Sequence, residues 1–311
     1  ASVLNLLNGT ICTFENHGIY VQAVTAAINV DASKLILHDM AYTAMMGEHA
    51  AADGVSEPST HDPVTNLLNI TNGATLRIYD LKPGEGGAGE ANGLNWFKVK
   101  VADSRLDVTG CMKQGLVACE LTLDNANAII SDNGELGMTA YSGNALMMKN
   151  NSVLTMENNG ECGIWASGAS TINVETGSEL TIRGTGHSLN SPQDKSYYAA
   201  IGIAKTTGSA TFEDGAEVNL IDNQVSAIYN KGTVTLGDGT VVTGNGREAM
   251  KAVHGGGIDN HGVIIVSKNA EVCNNHAVTA GDDIYNAEGA AITFGTVGFG
   301  WVLDDCDHSI D

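Results

Sequence analysis

One short pattern recurs along this chain and constrains its fold more than any other feature. A few residues alternate apolar and polar, a tight polar turn follows, and a second alternating run closes the unit. It reads INVDASKLILHD at 28–39, LNITNGATLRIYD at 68–80, VKVADSRLDVTG at 99–110 and LTLDNANAIISDNG at 121–134. It returns as MKNNSVLTMENNG (148–160), INVETGSELTIRGTG (172–186), ATFEDGAEVNLIDN (210–223), VTLGDGTVVTGNG (234–246) and IIVSKNAEVCNN (264–275), with a partial copy in AITF (291–294). Alternation with a period of two is the strand signal, because successive side chains point to opposite faces. A unit repeated every few tens of residues means a stacked architecture, since one copy cannot bury its apolar side alone.

Aligned on the turn, the apolar residue entering the second strand falls at Leu35, Leu76, Leu106, Ile129, Leu154, Leu180, Val218, Val242 and Val272. The steps run from 23 to 41 residues, and the shortest cluster at 23–26. That floor marks a fixed turn of the chain carrying inserted loops. A third short strand precedes many pairs: GIYV (18–21), GLVA (115–118), GMTA (137–140), GIWA (163–166), AIGI (200–203), AIYN (227–230), GIDN (257–260) and DIYN (283–286). The expected fold is all-β: a single parallel β-helix of about ten rungs, each of three short strands, wound right-handed as parallel crossovers are. It would span 1–303, with 304–311 beginning a linker to a following module. The surplus residues at 40–66, 82–93, 187–198 and 246–256 each follow the second strand of a pair. They are expected to project from one corner, and insertions gathered on one face often mark a binding face. The alternative is a corner that merely tolerates length, since loops close at small entropic cost.

Ile228, Ile258 and Ile284 are each followed two places later by asparagine. Asn230, Asn260 and Asn286 would therefore stack, each inward amide bonding to the next, because a buried polar group needs such a partner.

Composition agrees. The 311 residues include 38 Gly and only 4 Pro, which suits tight turns between short strands. Apolar residues make up 43 % and aromatics 5 %, so the core is aliphatic and narrow. The formal charge is -21, which excludes a basic nucleic-acid footprint and opposes anionic polymers and membranes. No apolar run approaches the ~20 residues of a membrane span. The chain opens and closes nearly mid-pattern and is expected to be a piece of a longer protein. Of the six cysteines, Cys111 and Cys119 are spaced to bridge one corner. The other reading is that they are small buried hydrophobes.

The cadence GG-I-x-N, then G-x-V-x-V, then N-A-x-V-x-x-N resembles the right-handed β-helix domains of bacterial cell-surface proteins and adhesins, an architecture shared with the pectate-lyase-like superfold. The resemblance covers nearly the whole chain. It rests on turn and core residues, so it speaks to fold first. It implies a secreted or wall-attached bacterial protein, the ligand-facing module of a long surface protein and a monomeric domain of something larger. The expected ligand is a glycan or a protein; the alternative is a spacer that only holds another domain away from the cell wall.

Residues able to hold such a ligand are aromatic. The position after the opening apolar residue of the short strand should face outward, and there stand Tyr20, Trp165, Tyr229 and Tyr285, with Asp259 between the last two. Tyr197 and Tyr198 end an inserted stretch beside that strand. Trp and Tyr faces stack on sugars and dominate binding hot spots. Trp165, Tyr197, Tyr198, Tyr229, Asp259 and Tyr285 are the expected contacts. The other possibility is that these rings cover neighbouring loops.

Catalysis by a polysaccharide lyase or glycoside hydrolase would use Asp259, Asp282 or Asp283 with His261, while His254 and His276 lie nearby in sequence. Hydrolysis needs two carboxyls ~5–9.5 Å apart, and consecutive aspartates on a strand diverge. The Asn-Thr-Asp, Gly-His-Gly and Arg-Ile-Lys strings of β-helix hydrolases are missing, so catalysis is the lesser expectation. No cofactor is expected. Calcium would suit the acidic turns at Asp31, Asp103, Asp124, Glu175, Glu213, Asp214 and Asp238, although solvated turns explain them equally. His49, His61 and Asp62 could ligate a transition metal. Residues 42–52 could form a short amphipathic helix.

Overall fold

In a computed structural model, residues 2–16, 18–21, 25–47, 64–82, 90–188, 198–246 and 252–295 are described. They contain strands and turns and no helix. All strand pairings are parallel, in one sheet of nineteen strands and another of ten. The chain is a β-helix-like solenoid.

Each turn of the solenoid visits three strands. In one turn they are Ser226–Asn230, Thr233–Leu236 and Thr240–Thr243, and these pair with Ile258–Asn260, Val263–Val266 and Glu271–Cys273 of the next. First and second strands belong to the large sheet, and third strands form the sheet of ten. The two sheet directions of the large sheet are joined where Leu136–Lys149 and Cys162–Val174 run through the corner without a break. The register shifts there, between Ala140 and Ser142 and again between Asn144 and Leu146. Gly168 makes that bend possible, because a β-carbon on it would overlap the carbonyl of Tyr141.

The alternating pattern becomes columns. On the second strands Val30, Ile70, Val101, Leu123, Met148, Val174, Phe212, Leu236, Val266 and Phe294 lie in one register. All but Phe294 are buried. Equivalent residues of successive turns lie ~4.8 Å apart, so each apolar side chain packs on copies of itself. Deleting one such large side chain costs about 2–5 kcal/mol.

The third-strand alignment needs two corrections. The inward residue beside Leu106 is Ala128, and Ile129 pairs with the outward Asp107. Val218 stands beside Thr240, while Val242 lies against Leu220. In both places a small or polar residue faces inward, so the bulkier neighbour misleads the alignment.

The corner assignment is corrected too. The insertions at 82–93, 187–198 and 246–256 join a third strand to the next first strand, as expected. The first does not behave as one loop. Met45–Gly47 inside it is itself a first strand, paired with Ile19–Val21 and Leu94–Asn95. The surplus therefore falls between the first and second strands of that turn, at another corner. The short helix expected at 42–52 is absent from its described part for the same reason, since Met45–Gly47 is extended; its remainder lies outside the described residues.

Cys111 and Cys119 are free thiols, as are Cys12, Cys162 and Cys273. The bridge that their spacing would allow does not form, and both are the small buried hydrophobes of the other reading. Cys111 ends a third strand and Cys119 follows a first strand, and each is buried in its own packing. Burial pushes the Cys111 thiol up strongly, and pushes Cys119 and Cys162 up to about 12.

Candidate functional site

The first strands align one outward residue per turn in a single row: Tyr20, Met46, Asn95, Val117, Thr139, Trp165, Gly202, Tyr229, Asp259 and Tyr285. The sequence-expected contacts Trp165, Tyr229, Asp259 and Tyr285 are thus neighbours along one line, interrupted only by Gly202.

That glycine shapes the site. With no side chain at 202, the Trp165 indole settles into its place, and a β-carbon there would overlap Cε3 and Cζ3 of the ring. The indole reaches Tyr229 two turns along, ring centroids 6.2 Å apart and inclined by 26°. Tyr198 meets the indole edge-on at 5.2 Å. Tyr229 continues to His261 at 5.5 Å, and Tyr285 stacks on His254 at 4.4 Å. Lys231 lies 5.6 Å above the Tyr229 ring. Aromatic pairs at such distances contribute ~0.5–1.5 kcal/mol beyond burial, so the rings hold one another in place.

The rings are less open than the alternation implies. Tyr229 is only 9 % exposed. Trp165, Tyr198 and Tyr285 are half-buried, and of the described aromatics in the row Tyr20 alone is freely exposed. Tyr197 lies outside the described residues, as do His49, His61 and Asp62.

Asp259 sits between Tyr229 and Tyr285 in the row. Its side chain is 8 % exposed, and Oδ1 is 2.8 Å from Nε2 of His261. Burial pushes its carboxyl above the ordinary aspartate range. The charges of His261 and His254, the His261 hydrogen bond and Lys231 pull in the opposite direction. The other two acids are engaged elsewhere. Asp282 Oδ1 accepts the Ala277 N–H at 2.7 Å and lies 3.4 Å from His276 Nδ1. Asp283 Oδ1 accepts from the backbone and side-chain nitrogens of Asn275 at 3.1 and 2.8 Å.

The asparagines at the first corner stack as expected. Asn230 Nδ2 donates to Asn260 Oδ1 at 2.8 Å, and Asn260 Nδ2 to Asn286 Oδ1 at 2.7 Å. A second, longer set was missed. Asn223 donates to Asn245, Asn245 to Asn275 and Asn275 to Asp283, each at 2.8 Å, and Asn133 donates to Asn159 at 2.9 Å. This column lies at the corner between third and first strands, and Asn245 in it directly precedes the insertion at 246–256. Its signal was present in the DNG, NNG, GNG and NN turns.

The acidic turns bond to amides of adjacent turns. Asn125 Nδ2 donates to Asp103 at 2.6 Å, Asn150 Nδ2 to Asp124 at 2.7 Å and Asn269 Nδ2 to Asp238 at 2.8 Å. Among the described residues no group of three or more His, Cys, Asp or Glu is placed to hold a metal ion.

Comparison of the chain with protein-family models, curated proteins and solved structures finds no match.

Proposed function

We propose that this chain is a non-catalytic binding module of a bacterial cell-surface adhesin, built as a right-handed parallel β-helix, and that it recognises a glycan through the Trp165–Tyr285 face. The observation that carries the reading is the Trp165 indole lying along the row toward Tyr229, held by Tyr198 and followed by the Asp259–His261 pair. A preformed aromatic surface loses little entropy on binding, and a sugar ring presents an apolar face to it. The buried carboxylate and imidazole beside it offer an acceptor and a donor to hydroxyl groups. The charge of -21 favours a neutral glycan over an anionic one. Export to the cell surface belongs to the same proposal and rests on the resemblance of the repeat cadence.

Affinity electrophoresis in gels containing xylan, galactomannan, mixed-linkage glucan or pectate tests it. Retardation by a neutral polymer, lost in Trp165→Ala, supports the module. Equal mobility in every gel rejects glycan recognition and leaves a protein ligand or a spacer role.

One observation favours a second reading. A buried carboxyl with a raised pKa beside a histidine is the kind of group that acts as a general acid. An enzyme acting on polysaccharide would use Asp259 and His261, and the structural duties of Asp282 and Asp283 weigh against either as its second carboxylate. Release of reducing ends or unsaturated products from the same polymers, abolished in Asp259→Asn, would replace the binding reading with this one.

A further inference from the structure

The opposite end of the same row carries a cleft that the aromatic site does not use. It has a volume of about 390 Å³ and lies where Ile19–Val21, Met45–Gly47 and Leu94–Asn95 pair. Tyr20 and Tyr42, 54 % and 65 % exposed, present their rings to it, with Met46 alongside. Among the described residues Glu90 is the one charged residue of the lining, and no described Lys or Arg lines it. Thr43 Oγ1 donates to the Glu90 backbone carbonyl at 2.8 Å, and Asn92 Nδ2 lies 3.4 Å from Glu90 Oε2, so the backbone is held by one contact and the carboxylate by the other. Asn95 completes the lining at 3 % exposure, and its side-chain oxygen accepts no hydrogen bond from any described group.

Each feature asks for the same partner. Exposed tyrosine faces attract cations through the ring quadrupole. Among the described residues the Glu90 carboxylate has no basic neighbour in the cleft, so it has no counter-charge there. A buried acceptor with no donor costs free energy until one is supplied. A cation that also carries N–H groups meets all three conditions, whereas an anion or an aliphatic group meets none.

We infer that this cleft is a second binding site, for a primary ammonium or guanidinium group carried on a Lys or Arg side chain of a partner protein. The cation lies between Tyr20 and Tyr42, pairs with Glu90 and donates toward Asn95. Tyr20 is five turns from Trp165 along the row, about 24 Å at the spacing of stacked strands. The two sites are therefore separate, and this one does not depend on glycan recognition.

Isothermal titration at physiological salt tests it. The probes are the capped tripeptides Gly-Lys-Gly and Gly-Arg-Gly, with Gly-Glu-Gly and the trimethyl-lysine version as comparisons. Saturable binding of the Lys or Arg peptide is expected, with none of the Glu peptide. Trimethyl-lysine, which keeps its charge and has no N–H to donate, should bind at least about fivefold more weakly. Tyr42→Ala and Glu90→Gln, both at exposed positions, should each weaken the Lys or Arg peptide by about two- to fivefold, the span expected of an exposed cation–ring contact. Trp165→Ala should leave it unchanged. Absence of saturable binding overturns the inference. So does equal affinity for trimethyl-lysine, which would show that no donor is needed. Unchanged affinity in both Tyr42→Ala and Glu90→Gln would assign the binding to the acidic surface at large and overturn it as well.

Discussion

Trp165 lies over Gly202, in the space that a side chain at position 202 would fill. The contact joins adjacent turns and lets the indole extend toward Tyr229.

Gly202→Ala should therefore displace the indole while leaving the columns of the core untouched. Its φ is not in the left-handed region, so the backbone accepts alanine there. The expected result is altered tryptophan fluorescence and loss of polymer retardation comparable to Trp165→Ala, with a cooperative melt retained. Wild-type retardation in Gly202→Ala would remove the indole's position from the binding argument.

Asn245 is fully buried. It donates to Leu220 O at 2.8 Å, Thr243 O at 3.1 Å and Asn275 Oδ1 at 2.8 Å, and it accepts from Asn223. Asn245→Ala strands several of these groups away from water, and each stranded group costs about 1–3 kcal/mol. A destabilisation of about 3–5 kcal/mol is expected by urea unfolding. Asn286→Ala, at the exposed end of the other column, should cost less than about 1 kcal/mol. Similar losses at both sites would mean that burial does not set the strength of these columns.

Asp259 gives a pH dependence of defined sign. Burial raises its folded pKa, so the folded state holds this proton more tightly than the unfolded chain, whose aspartates titrate near ~3.9. Its stabilising contribution is complete below the unfolded value and is lost as pH rises through the folded one. Above that window the ionised, buried carboxylate is a cost. Asp259→Asn should thus be more stable than wild type at neutral pH, with the difference shrinking as pH falls toward the unfolded value. Denaturant titrations across that range check it, and a difference that grows on acidification would contradict the assignment.

The cysteines should divide by burial. Cys111, Cys119 and Cys162 are enclosed, and their thiols are held in the unreactive protonated form. Cys12 and Cys273 are half-buried. Brief alkylation of native protein followed by peptide mapping should label Cys12 and Cys273 and spare the other three until denaturant is added. Early labelling of Cys119 would show that its surroundings open readily.

Much of this was readable from local pattern. The strands, the three-strand turn and the row holding Trp165, Tyr229, Asp259 and Tyr285 all follow from alternation and spacing. The Asn230–Asn260–Asn286 column followed from a repeated Ile-x-Asn. The Asn223–Asn245–Asn275 column did not, because asparagine beside glycine reads equally well as a turn residue. Only burial separates the two roles. Gly202 was likewise indistinguishable from any other small residue, since its role is defined by the indole it makes room for.

The sequence by itself determined that the chain forms short parallel strands stacked in turns, because a period of two is a property of neighbouring residues and survives any arrangement of the loops. The tertiary structure decided which corner each insertion leaves from, that Val242 lies against Leu220, that Tyr229 is covered, and that Asp259 meets His261 among rings from other turns. Those relations join residues one or more turns apart, and they depend on stacking register and on shared space, which no run of adjacent residues encodes.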